Sequence, residues 1–205
     1  MYAFVMTTER ISLGGLRERK RIQTLERITE VALEQFVEHG YEATTLDAIA
    51  EAANIARRTF FHYFASKEDI LLAWQDALPP RFRAALLEQS TDQSPAEAMR
   101  LAHLSLATHY DADQAQLIAS IIASSVRLRA ANQAKFIALE ELGFETLCEM
   151  WPSSERRDAL RLVAMTSVGA LRIAIAQWVS GTGSGALGDH INAAFATMTT
   201  ELSVA

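Results

Sequence analysis

The chain has 205 residues, half of them hydrophobic, and carries 25 Asp or Glu against 19 Lys or Arg. This length allows one large domain or a small domain joined to a larger one, and the composition favours a helix-rich globular protein over a disordered chain. The single cysteine, Cys148, excludes an intramolecular disulfide and lies in a helical pattern, which favours a core thiol in a reducing cytoplasm.

The charges are distributed unevenly along the chain. From Arg10 to Lys67 there are nine basic and eight acidic residues, whereas from Glu68 to Ala205 there are ten basic and sixteen acidic residues. Phosphate contacts supply much of the affinity for DNA, so the acidic C-terminal part is poorly suited to nucleic acid. Only the first third of the chain can accommodate DNA.

The N-terminal residues 1–16 show no sustained periodicity and end in Gly14-Gly15, which predicts a flexible arm. Their apolar stretch, Tyr2 to Met6, is too short for a secretory signal. We therefore expect a cytoplasmic protein.

Three helices are predicted next. Apolar residues recur at three- and four-residue steps from Leu16 to His39-Gly40, where the glycine suits a left-handed cap. Thr44-Thr45 offers an N-cap for a short helix over 46–53, and a second short helix over 56–63 follows the turn at Asn54. Two short helices joined by a tight turn behind a longer helix form a helix-turn-helix.

Helical patterns continue through the rest of the chain. A fourth helix, which links the two modules, begins at Ser66 with a capping-box-like sequence and runs to Pro79-Pro80. The next begins at Ser94-Pro95 and reaches about Tyr110, and further apolar segments extend from Leu117 to Met150. A turn rich in glycine over 181–188 precedes the last helix, whose apolar face includes Ile191 and Phe195.

The helix predicted over 159–179 is apolar on two sides, with Leu160 to Trp178 along one seam and Leu162 to Ala176 along another. It is long enough to cross a bilayer, but Arg161 and Arg172 would be costly in lipid. We therefore expect a covered helix of a soluble protein and no membrane partner. The chain as a whole is predicted to be all-α, with about nine helices.

The run from Arg19 to Leu72 resembles the DNA-binding domain of the TetR family of transcriptional regulators. The residues that carry the resemblance are 32–36 (ALEQF), 39–41 (HGY), 44–50 (TTLDAIA), Ile55, 59–64 (TFFHYF) and 66–68 (SKE). The resemblance implies a three-helix DNA-binding domain over 17–66 and a larger helical ligand-binding and dimerisation domain over 67–205.

In that family the second helix of the motif lies in the major groove, and this implies roles for matching positions. Arg57 and Arg58 would contact base edges, since a guanidinium can bind guanine O6 and N7 together. Thr45 would cap its helix and contact a phosphate. The other implied DNA contacts are Thr59, Phe61, His62, Tyr63 and Lys67, the last two at phosphates.

The sequence departs from the family pattern at three positions. Ala56 replaces a common hydroxyl residue, so its helix lacks a side-chain cap; Asn54 replaces a turn glycine but tolerates the left-handed region. Phe61 replaces a common Tyr, so a thymine methyl contact is expected instead of a hydroxyl contact. Four basic residues near the start of the first helix either contact phosphates or an adjacent minor groove, or form a solvated helix start: Arg17, Arg19, Lys20 and Arg21.

For the C-terminal domain the resemblance implies a ligand pocket and a dimer interface. Apolar pockets lie between bundle helices, and the residues that could line one, although each also suits core packing, are Trp74, Met99, His103, Ile121, Phe144 and Trp178. The predicted dimer interface comprises Leu160, Ala164, Leu171, Trp178, Ile191, Phe195 and Met198.

These features predict a ligand-responsive regulator, a homodimeric repressor released from a near-palindromic double-stranded operator by a small, largely apolar effector. No cofactor or metal is expected. The alternative is a helical enzyme or a dimeric scaffold without DNA binding. His103, His109, Asp111 and Asp113 could suit a divalent cation, but the sequence contains no H-E-x-x-H, P-loop or nucleophile elbow.

Overall fold

The computed structural model describes residues 5–107, 112–181 and 185–203, and within them the side chains outside 5–14, 16–19, 112–114 and 203. These residues form α-helices and one short 3₁₀ helix, with no strand among them. The elements are α1 (Val5–His39), α2 (Leu46–Ala52), α3 (Arg57–Tyr63), α4 (Lys67–Asp76), α5 (Leu78–Leu87), α6 (Pro95–Ala107), α7 (Ala112–Ser124), α8 (Val126–Met150), η1 (Ser154–Arg156), α9 (Arg157–Val179) and α10 (Leu187–Ser203).

The chain divides into two compact units, Met1–Trp74 and Gln75–Ala205. We call them the N-terminal and C-terminal units. The boundary falls inside α4, whereas the sequence placed it between residues 66 and 67. Most of α4 therefore belongs to the N-terminal unit, where its Ile70 and Leu71 are fully buried.

The N-terminal unit is built around apolar side chains of α1, α2 and α3. Phe36 of α1, Ile49 of α2 and Phe60 of α3 are almost completely buried. The Phe36 ring also packs edge-on against Tyr41, with 4.9 Å between the centroids. These large side chains fix the three helices against one another, because each removes extensive apolar surface from water.

Local capping accounts for the positions of the helix ends. Gly40 ends α1 with φ 85°, and its amide donates to the Phe36 carbonyl at 3.0 Å. Thr45 caps α2, where its hydroxyl oxygen accepts from the Ala48 amide at 3.1 Å. Asn54 occupies the left-handed region at φ 53°, as the sequence predicted for the turn between α2 and α3.

Two helix boundaries differ from the sequence-based expectation. The sequence predicts a flexible arm over 1–16, but α1 starts at Val5 and continues through Gly14-Gly15; the mobility of this stretch stays a prediction. Pro79-Pro80 was expected to end a helix, whereas it lies in the first turn of α5. Proline suits that position because the first amides of a helix have no intrahelical acceptor and its φ is already helical.

The main apolar cluster of the C-terminal unit contains buried residues of α5, α6, α8, α9 and α10. We call one face of α9 the inner seam: Leu160, Ala164, Ser167, Leu171, Ala174 and Trp178, all of which are buried. It packs with Phe82 of α5, Met99 of α6, Leu147 of α8 and Ile191 of α10 in one apolar cluster. α9 is thus a central element of this unit.

The burial pattern corrects the predicted dimer interface. Leu160, Ala164, Leu171, Trp178, Ile191 and Phe195 are at most 5% exposed, and Met198 packs against the same cluster. They form the chain's own core because α9 and α10 pack together along these faces. The other apolar face of α9 is exposed; we call it the outer seam: Leu162, Met165, Gly169, Ile173 and Ala176.

By length and composition alone, the segment Ser154–Val179 could cross a membrane, and it is the one such helix among the described residues. Its inner seam is packed in the core, and Arg161 forms an ion pair with Glu141 at 2.8 Å. These are the features of a core helix.

Candidate nucleic-acid interface

α3 has one buried face and one exposed polar face. Phe60 and Phe64 are buried, and the Phe60 and Phe61 rings meet edge-on at a centroid distance of 5.6 Å. The exposed face carries Arg57, Arg58, Thr59, Phe61 and His62. Because the buried rings anchor the helix, its orientation in the unit is fixed and these side chains project outward together.

The predicted DNA contacts on α3 lie close together in space. Arg58, Thr59, Phe61, His62 and Tyr63 line one open depression on the surface. The Tyr63 ring is half-buried and meets His62 edge-on at 5.6 Å between centroids. The depression combines a guanidinium, a hydroxyl group and aromatic edges, which are the group types that contact bases and phosphates.

Arg57 is held by residues of both short helices. Its Nε lies 2.9 Å from Asp47 Oδ1 of α2. The guanidinium carbon also lies 5.5 Å from the centroid of Phe61, one helical turn along α3. Asp47 was not among the functional residues expected from the sequence, although an acid in the first turn of α2 is visible there.

The helix starts at this surface differ in their capping. The Thr45 hydroxyl oxygen is used by the Ala48 amide, which leaves its O–H free to donate. Ala56, at the start of α3, makes no side-chain cap, as expected from the sequence. The first amides of α3 therefore lack a capping side chain, and an anion at this end would be favoured by the partial positive charge of the helix terminus.

Lys67, an expected phosphate contact, forms hydrogen bonds within the protein. Its ammonium group donates to the Tyr41 and Glu42 carbonyls, the latter at 3.3 Å, and lies 4.4 Å from the Tyr41 ring centroid. The group therefore ties the start of α4 to the turn after α1. Its hydrogen-bonding capacity is largely used inside the protein, so a phosphate contact would have to compete with these bonds.

The basic residues near the start of the domain are described only in part. Lys20 and Arg21 are exposed on α1, whereas the side chains of Arg17 and Arg19 lie outside the described residues. Their contact with DNA stays a prediction.

The residues expected to line a ligand pocket do not all belong to one unit. Trp74 is half-buried and is the last residue of the N-terminal unit, whereas the other five belong to the C-terminal unit. Ile121 is buried on α7 but is not part of the main apolar cluster, which contains Met99, Phe144 and Trp178. The cluster is tight near Met99, since a Cβ added at Gly143 would lie 3.2 Å from the Met99 methyl group.

His103 is a buried polar group within this apolar surrounding. Its ring stacks on Phe82 at 4.5 Å with an interplanar angle of 15°, and it is tilted against Phe195 at 6.2 Å. Burial lowers the pKa of His103 from 6.5 to about 3, so the ring is neutral at pH 7. The buried Nε2 of His103 and Nε1 of Trp178 have no hydrogen-bond partner among the described residues.

A metal site was also considered from the sequence. In the described part of the chain, no three His, Cys, Asp or Glu side chains lie close enough to hold a metal ion. His109 and Asp111 lie outside the described residues, as does the side chain of Asp113.

The fold and the exposed face of α3 define a helix-turn-helix protein. Residues 28–74 match the family described as bacterial regulatory proteins, tetR family. The chain is 44% identical over 85 residues to the HTH-type transcriptional regulator TcmR of Streptomyces glaucescens, which covers 42% of this chain and 38% of TcmR. The match therefore spans well under two thirds of that relative's length.

Solved structures share the fold across most of the chain. A putative TetR-family regulator from Syntrophomonas wolfei superposes with a TM-score of 0.67 at 16% identity, covering 89% of this chain and 96% of that one. The Thermus thermophilus repressor FadR, solved in complex with lauroyl-CoA, gives a TM-score of 0.55 at 23% identity, covering 85% and 93%. The similarity to the tetR family is thus carried by residues 28–74, and the similarity of fold extends over most of the chain. TcmR, the relative matched over the DNA-binding segment, is described as a transcriptional regulator.

Proposed function

We propose that this protein is a homodimeric, cytoplasmic transcriptional regulator, a repressor that leaves a near-palindromic operator when it binds a small, largely apolar effector. The observation that carries the proposal is the exposed face of α3, where two arginines project beside Thr59, Phe61 and His62. Such a face has no role in the core of the unit, whose apolar residues lie on the opposite side of the helix.

On DNA, α3 enters the major groove with its N-terminal residues toward the base edges. Arg57 and Arg58 lie at that end and recognise bases, with guanine as the preferred partner of each guanidinium. Thr45 and Tyr63 contact phosphates that fix the register of the helix.

The outer seam of α9 supports the homodimer. Leu162, Met165 and Ile173 are 61%, 47% and 56% exposed, and nothing lies within 4 Å of a Cβ added at Gly169. These residues recur at three- and four-residue steps, as in helices that pair along a seam. A second copy related by a two-fold axis would cover both seams. On DNA, the two copies of α3 would read half-sites about 34 to 36 Å apart or slightly more, so the operator is proposed to be near-palindromic.

The effector is proposed to bind within the C-terminal unit, among Met99, His103, Phe144 and Trp178. The apolar surrounding favours a largely apolar ligand, and the unpaired His103 Nε2 and Trp178 Nε1 favour one polar group on it. FadR was solved with lauroyl-CoA, a molecule with a long apolar chain, which is consistent with this class.

Release from DNA requires that the effector favour one of two conformations. α4 is proposed to transmit the change, because the boundary between the two units falls within this helix. A coupling free energy of about 1 to 3 kcal/mol would give a useful switch.

The test is a mobility shift and footprint of the purified protein on its own upstream intergenic DNA at two salt concentrations. A protected near-palindrome whose affinity falls steeply with salt supports the proposal. Arg58→Ala should weaken the complex, whereas Arg156→Ala removes the same charge from an exposed position in the C-terminal unit and should not. A folded dimer that binds no DNA at low salt would instead favour a scaffold.

A further inference from the structure

Arg57 is oriented by a carboxylate that lies on the same DNA-facing surface. We infer that Asp47 is a positioning residue for base recognition: it holds the Nε edge of Arg57 so that the outer edge of the guanidinium is presented to one base pair. This inference rests on the proposed function. It adds a residue that the sequence did not indicate, and it assigns that residue to specificity rather than to affinity.

The ion pair between Arg57 and Asp47 contributes little to the stability of the fold. The side chains of Arg57 and Asp47 are 74% and 55% exposed. Exposed ion pairs contribute little because water and salt screen them and because two long side chains must be ordered. The main effect of this contact is therefore on the orientation of the Arg57 side chain.

The contact leaves the recognition edge of the guanidinium available. Arg57 Nε lies 2.9 Å from Asp47 Oδ1, and the described residues provide no other polar partner for the guanidinium. The remaining donors are on the two terminal nitrogens, which form the planar fork that binds guanine O6 and N7. Asp47 therefore occupies the edge that a bidentate base contact does not need.

Phe61 restricts the same side chain from α3. The guanidinium carbon lies 5.5 Å from its ring centroid. A carboxylate on α2 and a ring on α3 thus act on one guanidinium, which limits its rotamers before DNA is bound. Arg58, the next residue, has no ion pair with any described residue, so the two neighbouring arginines differ in this respect.

Asp47 places a negative charge on a surface that is proposed to bind DNA. A carboxylate here repels phosphates and so lowers affinity for every sequence. Removing it should strengthen binding in general while it weakens discrimination at one base pair. These opposite effects separate a positioning role from a purely electrostatic one.

The experiment measures the ratio of affinities for the operator protected in the footprint and for single-base-pair variants of it. First, Arg57→Ala identifies the base pair at which discrimination is lost. The ratio at that base pair is then measured for Asp47→Asn, for Glu51→Gln and for Asp47→Asn combined with Arg57→Ala. Glu51 lies one turn further along α2, is exposed, and has no ion pair with any described residue. Each ratio is taken on one preparation, so it does not depend on the active fraction.

We expect Asp47→Asn to lower the ratio about 3- to 10-fold, as when one ordered arginine regains its rotamer freedom, and to raise affinity for unrelated DNA. Glu51→Gln should raise affinity for unrelated DNA and leave the ratio unchanged. In the Arg57→Ala background, Asp47→Asn should leave the ratio unchanged. An unaltered ratio for Asp47→Asn alone, or a change that persists without Arg57, would overturn the inference. If the wild-type protein protects no sequence, the proposed function itself fails.

Discussion

Two neighbouring residues of α9 should respond to substitution in opposite ways. Ile173 belongs to the outer seam and is 56% exposed, whereas Leu171 belongs to the inner seam and is 5% exposed. Ile173→Glu should dissociate the dimer without disrupting the fold of each chain. Leu171→Ala should destabilise the fold and leave the dimer assembled.

The magnitude for Ile173 follows from its exposure. Complete burial of an isoleucine side chain contributes about 1.5 to 3 kcal/mol, so covering the exposed half contributes about 1 kcal/mol per copy. The two-fold axis counts this loss twice, and glutamate also places two unpaired carboxylates in the interface at a cost of several kcal/mol. A total of about 4 kcal/mol or more weakens association by roughly 1000-fold.

For Leu171 the relevant quantity is the cavity that the substitution leaves. Truncation of a buried leucine to alanine costs about 2 to 5 kcal/mol, with the larger values where the core cannot collapse. Leu171 packs within the main apolar cluster of the C-terminal unit. The loss should therefore be seen in the free energy of unfolding.

Sedimentation velocity at micromolar concentration gives the oligomeric state, and urea unfolding followed by circular dichroism gives the stability. Val126→Glu is the matched control, because Val126 is 75% exposed on α8 and lies outside the outer seam. A dimeric Ile173→Glu protein would refute the assignment of the outer seam. A Leu171→Ala protein that is monomeric but equally stable would show that the inner seam is the interface after all.

Three further outcomes are expected. Arg57→Ala should weaken operator binding by about 1 to 3 kcal/mol and relax the preference at one base pair. Competition with operator variants measures both effects, and equal losses on all sequences would contradict a base contact. Lys67→Ala should lower the free energy of unfolding by about 1 to 3 kcal/mol, because the Lys67 ammonium binds the Tyr41 and Glu42 carbonyls. An unchanged urea midpoint with a uniform loss of DNA binding would instead indicate the phosphate contact that the family resemblance implies. Burial holds the pKa of His103 at about 3, whereas the unfolded chain takes up this proton near pH 6.5. Between these values the unfolding free energy should therefore fall as the pH falls, by up to about 1.4 kcal/mol per pH unit. His103→Gln should remove this contribution. Urea unfolding at pH 7 and about pH 5 tests this, and identical pH dependence in wild type and His103→Gln would exclude His103 as its source.

The N-terminal unit was predictable because its signals are local. Gly40, Thr45 and Asn54 each specify a helix end through their own conformational preference or hydrogen bond. Short-range preferences of this kind depend little on the rest of the fold.

Features that depend on tertiary packing were harder to predict. α9 is apolar on two faces, and periodicity does not tell which face meets the chain's own helices. The inner seam was therefore assigned to the dimer interface, although it forms the core. Pro79-Pro80 posed a similar problem, since proline is compatible both with the end of one helix and with the first turn of the next.

Contacts between residues that are far apart in the sequence could not be predicted from the sequence pattern either. Lys67 binds carbonyls about 25 residues earlier in the chain, and Asp47 meets Arg57 across the turn between two helices. Each contact depends on how helices are placed in space. The residue types gave no sign of the pairing.

If the outer seam forms the proposed dimer contact, it has a consequence for a cell that contains several proteins of this fold. Where two identical copies meet, one substitution alters both sides of the contact at once, so the face is selected to match itself. A related chain with different side chains at these positions would leave clashes or uncovered apolar surface, and would be rejected as a partner. The small set of exposed residues on α9 would thus keep this regulator from forming mixed pairs, and separate regulatory circuits could share one architecture without exchanging subunits.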